Sequence, residues 1–283
     1  MKTKWLLEND VFDEDLQPMI DEIERQGMEV KVQRHRPFDV DREDIRTWYK
    51  PDDCVVFYGS IEFARAIQRL TKWIPGTYCS FDRYRCVEYY PSMGDMLVNA
   101  DYAMVPFGDL GRRRKWLYDT FGVDKCIFIR PDDSDKIFTG KTVKIEEFER
   151  DIDLFGIYDT PPHELCVVSS PKAILQEWRL VIVENKIVAA SRSKTNGKLN
   201  TKQGAPDEVL SYGRYVLKTS GYNPDRAWTL DLCLAGDETI KVMEVGSFSV
   251  AGLYACDMEP IIKSVSKVAL DEWSEYNEDD ENG

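Results

Sequence analysis

Between Trp228 and Tyr254 the chain reads WTLDLCLAGDETIKVMEVGSFSVAGLY. Leu230, Leu232 and Leu234 alternate with Thr229, Asp231 and Cys233, the turn-like Ala235-Gly236-Asp237-Glu238 follows, and Thr239 to Val245 alternates again. Period-two alternation on both sides of a short polar turn predicts a β-hairpin. With an even loop, Asp231 lies opposite Glu244, Leu230 opposite Val245 and Leu232 opposite Met243, giving one apolar face and one acidic end. A slip of one residue would invert both faces, which pins the register. Two opposed carboxylates with Cβ atoms roughly 5 Å apart repel each other. They are tolerated when splayed into water, the commoner fate of an Asp/Glu pair, or when a cation stands between them. Mg2+ suits the second case, because it is held by one or two carboxylates together with nucleotide phosphates and seldom has a complete protein cage.

The remaining composition narrows the choice. A chain of 283 residues, 43% of them hydrophobic, can bury a large core and predicts two packed lobes or one elaborate domain. With 51 acidic against 37 basic residues the net charge is -14, which argues against a broad nucleic-acid footprint. The opening MKTKWLLEND has only Trp5-Leu6-Leu7 as an apolar run, too short for a signal peptide, and no stretch reaches membrane-spanning length. Seven scattered cysteines without a CxxC pair argue against a disulfide framework or a zinc site, so a cytoplasmic setting is expected. His35 and His163 stand in no ligand spacing and are expected on the surface or in loops.

The first hundred residues alternate strand and helix: Trp5 to Glu8 a strand, Asp13 to Arg25 a helix, Met28 to Val32 a strand, Cys54 to Tyr58 a strand, then Gly59-Ser60 and a helix from Ile61 to Lys72. This predicts a Rossmann-like α/β lobe over residues 1–105. Gly59-Ser60 stands where a phosphate-binding turn would, but lacks the glycine fingerprint and reads as ordinary α/β architecture. The aromatic stretch Tyr78 to Tyr90 reads as packing between lobes. Punctuation around Asp101 to Gly111 places a boundary before a helix reaching Phe121, whose run Arg112-Arg113-Arg114-Lys115 is either a solvated face or an anion-facing one. KCIFIR is an apolar strand that delivers Arg130 to its end, followed by a polar loop with Lys136 and Gly140 suited to covering phosphates. Val143 to Leu154 is expected as a helix and Leu165 to Val168 as a strand. Glu177 and Arg179 alternate with Trp178 and Leu180, so both polar heads point to one face of a strand that returns, past Asn185-Lys186, as Ile187 to Ser193. Lys194 to Ala205 is expected as a long polar loop, Pro206 to Ser220 and Met258 to Glu275 as helices, and residues 277–283 as a disordered acidic tail.

Taken in order, the strand ending in a cation, its small loop, Val167-Val168-Ser169-Ser170, EWR and the D…E hairpin resemble the ATP-grasp superfamily over roughly residues 100 to 257. IRP…DKIFTGK, SSPK, EWR and AGLYACD look more narrowly like a viral and bacterial clade in which an arginine replaces one ATP-binding lysine. The resemblance implies an ATP-grasp domain over residues 106–276 whose two α+β lobes clamp ATP. It implies Arg130 on the phosphates and Lys136 in the loop above them. Val168 and Ser170 would offer backbone groups to adenine, with Lys172 nearby and Glu177 on the ribose. Arg179 would face the phosphates or an acyl phosphate, Arg192 an anionic substrate or intermediate, and Asp231 and Glu244 would hold Mg2+. The family commonly ends its metal motif E-x-N, whereas Glu244-Val245-Gly246 has glycine at the third position, with Ser247 or Ser249 as substitute donors. The expected activity is an ATP- and Mg2+-dependent carboxylate–amine ligase acting on a small-molecule, amino-acid or peptide substrate. The alternative is a nucleotide-binding regulatory or partner-binding protein without ligase activity.

Overall fold

Apolar runs in the first sixty residues set the architecture of the N-terminal third. The computed structural model describes residues 2–34, 44–132, 137–157 and 160–282. Strands β1 (Lys4–Glu8), β2 (Glu29–Gln33), β3 (Cys54–Tyr58) and β4 (Ile74–Gly76) form a parallel sheet in the order β2-β1-β3-β4, with α1 (Asp13–Arg25), α2 (Ile45–Trp48) and α3 (Ile61–Leu70) between them. β3 is apolar throughout because both of its faces are covered: Val55 and Phe57 pack with Leu6 and Phe63 on one side, and Cys54, Val56 and Tyr58 with Trp5 and Leu7 on the other. The turn after β3 is tied to its own chain through two amides. Ser60 N–H donates to Glu8 Oε2 and Gly59 N–H to the Ser249 carbonyl, so neither amide of the Gly59-Ser60 turn points at an anion.

A second, antiparallel sheet follows α4 (Cys86–Met93). It consists of β5 (Ala103–Pro106), β6 (Cys126–Pro131), β7 (Lys141–Lys144) and β8 (Leu165–Ser169) in the order β5-β8-β6-β7, with α5 (Leu110–Phe121) and α6 (Phe148–Gly156) closing its own core. The helix expected from Val143 begins only at Phe148, because Lys141–Lys144 pairs with the edge of β6 and buries Val143. The basic run on α5 is a paired face: Arg112 and Arg113 meet Asp109, Arg114 meets Glu149, and Lys115 meets Asp119.

The third sheet is built from β9 (Ile174–Val183), β10 (Lys186–Thr195), β11 (Lys198–Gln203), β12 (Ala227–Ala235) and β13 (Ile240–Ser247), antiparallel in the order β11-β10-β9-β12-β13. α7 (Asp207–Ser220) and α4 cover one face over Trp178, Leu180, Trp228, Leu230 and Leu232. The segment expected as a polar loop after Ser193 is strand and hairpin instead. Asn196 and Gly197 both take positive φ, 48° and 72°, as a two-residue turn requires, and the polar residues of β11 lie on the exposed edge. Asp231 faces Glu244 and Leu230 faces Val245, but a bulge after Asp231 sets Leu232 against Val242 rather than Met243.

α8 (Met258–Asn282) returns to the first sheet, where Ile261, Ile262 and Val265 join Trp5, Leu7 and Val56 in one core with Val181 and Val183 of β9. Trp5 Nε1 donates to Ser266 Oγ at 3.0 Å. The helix runs on to Asn282 where a disordered tail was expected, since each residue added to a formed helix gains a hydrogen bond without a new nucleation cost. Among the described residues no helix is long and apolar enough to cross a membrane.

Candidate active site

Alternation along β9, β12 and β13 sends Trp178, Leu180, Trp228, Leu230 and Leu232 to the α7 face, and Glu177, Arg179, Asp231 and Glu244 to the other, where Val181 and Val183 continue the row beneath α8. The pairing registers then align one row across four strands: Ser191 on β10, Arg179 on β9, Asp231 on β12 and Glu244 on β13. Arg179 grips Asp231 bidentately, Nε to Oδ1 at 2.8 Å and a terminal nitrogen to Oδ2 at 2.6 Å, and donates its other terminal nitrogen to the Gly252 carbonyl at 2.6 Å. The ring of Tyr254 lies 5.0 Å from its guanidinium. Burial works against the Arg179 charge, yet Asp231 more than offsets it and holds the group above its ordinary range. From the second sheet, Arg130 reaches Glu244 Oε1 at 3.1 Å. Each of the two opposed acids thus has an arginine on its outer side, so their register alone does not require a metal cation.

Arg130 and Glu244 stand at one wall of a cleft of about 440 Å³ between the second and third sheets. Phe128, Phe138 and Ile174 supply apolar lining, and Lys172, Glu177 and Lys194 polar groups. Glu177 accepts from Lys194 Nζ at 3.0 Å, and this pairing outweighs burial and raises the lysine above its ordinary value. At the connection between β8 and β9, Asp101 takes hydrogen bonds from Ser170 and from Lys172 Nζ, the latter at 2.7 Å, while Lys172 also donates to the Ser170 carbonyl at 2.9 Å. The connection is thereby fastened to the residues that lead into β5.

Of the residues singled out in the sequence, Arg130, Lys172, Glu177 and Glu244 line this cleft, and Arg179 and Asp231 lie in the adjoining row. Lys136 lies outside the described residues. Val168 sits in β8 between β5 and β6, so its backbone groups belong to the ladder rather than to an open edge. Ser170 borders the cleft through its contact with Lys172. Arg192 does not face the cleft: it is opposite Trp178, on the α7 face, and its guanidinium donates to the carbonyl and side chain of Asn200. The bulge between Arg192 and Lys194 instead turns Lys194 inward, a residue that the sequence places at the start of a loop. Asp101 was equally unsignalled, being remote in sequence from the segment it fastens.

Asp231 and Glu244 present hard oxygen donors from adjacent strands, a set that fits Mg2+ shared with phosphates. Among the described residues no group of three or more His, Cys, Asp or Glu forms a fuller cage. Gly246 adds no donor, and a Cβ there would stand 2.6 Å from the buried Thr229 hydroxyl. The hydroxyls of the two serines after it are held by main-chain carbonyls. Ser247 Oγ donates to the Tyr78 carbonyl at 2.7 Å, and Ser249 Oγ to the Phe57 carbonyl at 2.8 Å.

The model for "ATP-grasp domain, R2K clade family 3" matches residues 72–265. No curated protein matches the chain in sequence. Solved structures do match it in fold. D-cycloserine synthetase DcsG has a TM-score of 0.65 at 13% identity, covering 94% of this chain and 99% of that one. D-alanine–D-alanine ligase from Bacillus anthracis has a TM-score of 0.57 at 10% identity, covering 100% of both chains. The RimK domain ATP-grasp protein from Sphaerobacter thermophilus DSM 20745 has a TM-score of 0.57 at 13% identity, covering 93% and 99%.

Proposed function

The chain belongs to the ATP-grasp domains, R2K clade family 3, and from that premise we propose that it is an ATP- and Mg2+-dependent ligase joining a carboxylate to an amine through an acyl phosphate. The observation that carries this reading is the row Arg179, Asp231, Glu244 capped by Arg130, at the edge of a cleft between two sheets. Bound Mg2+ would supply charge neutralisation at the transferring phosphoryl group, with Asp231 and Glu244 as its protein ligands. Arg130 and Lys194 offer cations to the phosphates in the same cleft. Arg179, held rigid by Asp231 and the Gly252 carbonyl, is oriented to stabilise charge on the acceptor side without reorganising. Phe128, Phe138 and Ile174 exclude water from the nucleotide, and Glu177 accepts hydrogen bonds from hydroxyl groups. Ligase structures with the same fold support this class of chemistry for the family's architecture, and substrates of amino-acid or peptide type suit it. Fold and cysteine usage are compatible with a cytoplasmic enzyme.

Glu244→Gln removes the charge while keeping the size of the side chain. It is expected to abolish ADP release in the presence of Mg2+, ATP and candidate amino acids or peptides, with an unchanged thermal unfolding midpoint. Undiminished ADP release by that variant sinks the reading. Gly246, backed by Thr229, favours a second one, a nucleotide-binding regulator without turnover. That protein would show a thermal shift with ATP and Mg2+ but release no ADP with any acceptor.

A further inference from the structure

In a chain of net charge -14, residues 185–206 contain five cations, Lys186, Arg192, Lys194, Lys198 and Lys202, and no acid. The fold gathers most of them on the hairpin of β10 and β11. β11 is the terminal strand of its sheet, and among the described residues nothing pairs with its outer edge. The opposite edge is covered, since Leu97 bridges Val242 on β13 and Val98 N–H donates to the Val242 carbonyl. Lys198 and Lys202 are exposed and, among the described residues, have no carboxylate partner, whereas the α5 cations are all paired. Leu199, opposite Lys194 in register, is 63% exposed on the face of the sheet that leads to the cleft.

An open strand edge is a template for another strand, and lysines on such an edge repel a second copy of the same edge while attracting an acidic one. We propose that the outer edge of β11 docks an extended acidic polypeptide segment by strand addition, with backbone hydrogen bonds along the edge, carboxylates against Lys198 and Lys202, and an apolar side chain over Leu199. Free backbone N–H and C=O groups favour a polypeptide over a nucleic acid, which could use only the lysines. The docking is independent of the chemistry performed in the cleft.

The test uses fluorescence anisotropy with a labelled ten-residue peptide alternating glutamate with valine and threonine. Its controls are the Glu→Gln analogue, an analogue N-methylated at alternate amides, and an oligothymidylate of equal charge. The acidic peptide is expected to bind in a salt-sensitive manner, and all three controls about tenfold or more weaker. The double variant Lys198→Glu/Lys202→Glu is expected to lose the acidic peptide by a similar factor while keeping its thermal shift with a non-hydrolysable ATP analogue, which verifies folding. Equal binding of the N-methylated peptide or the oligothymidylate overturns the proposal, as does undiminished peptide binding by the variant. A protein that binds the peptide but no nucleotide sinks the ligase reading and leaves this one standing.

Discussion

Arg179 and Asp231 are both largely buried, and removing one partner of such a pair strands the other charge. Arg179→Ala is therefore expected to cost about 3 kcal/mol in urea unfolding. A loss near zero would mean that water reaches Asp231 freely. Gly246 is constrained from the other side. Gly246→Asn, which restores the donor usual in the family, drives a Cβ into Thr229 Oγ1 and should destabilise by about 1–3 kcal/mol. Thr229→Ala in the same chain should recover most of that loss, and failure to recover it would place the conflict elsewhere. Asp101 gives a pH signature. Burial pushes its pKa up, but the hydrogen bonds from Lys172 and Ser170 prevail and leave it below the ordinary 3.8. A depressed carboxylate contributes stability above its unfolded value and loses it as pH falls through the folded one. The difference in thermal midpoint between wild type and Asp101→Asn should accordingly shrink below pH 3.8. Parallel profiles through the acid limb would remove Asp101 from the account.

At the scale of elements, the legible parts were those whose pattern is local. α1 and β3 match their expected spans, and Asp231 meets Glu244 as the alternation requires. What stayed hidden depended on partners far along the chain. Val143 and Lys144 look like the start of a helix until β6 supplies their ladder, and the bulges that turn Lys194 inward and set Leu232 on Val242 are choices of the sheet, not of either strand. The hairpin at Asn196-Gly197 did carry a local signal, the dipeptide itself, outweighed by the polarity of its flanks. α8 divides into two parts with different energetic standing. Ile262 is fully buried, so Ile262→Ala should cost about 2–5 kcal/mol. Truncation after Glu278 removes only residues beyond the core and should leave the unfolding free energy within about 0.5 kcal/mol of the full chain. A large loss on truncation would refute that division of the helix.

Across the whole molecule, the first and third sheets share one core, while the second sheet closes a core of its own on one face and lends Val167 to the third sheet on the other. The first and third sheets meet in one cluster through α8, and β5 to β8 close around Val105, Ile127, Ile129 and Phe148. Hydrogen exchange should accordingly show β5 to β8 opening as a unit before β9 and β12, with ATP analogue and Mg2+ slowing β6 and β7 most. Simultaneous exchange of all three sheets would refute that division. A helix made late completes a sheet made early: Trp5 and Thr3 are bonded to Ser266, and α8 lies across β3 and β4. During synthesis the opening strands must therefore wait, with one greasy side uncovered, until residues 258–270 have been made about two hundred positions later.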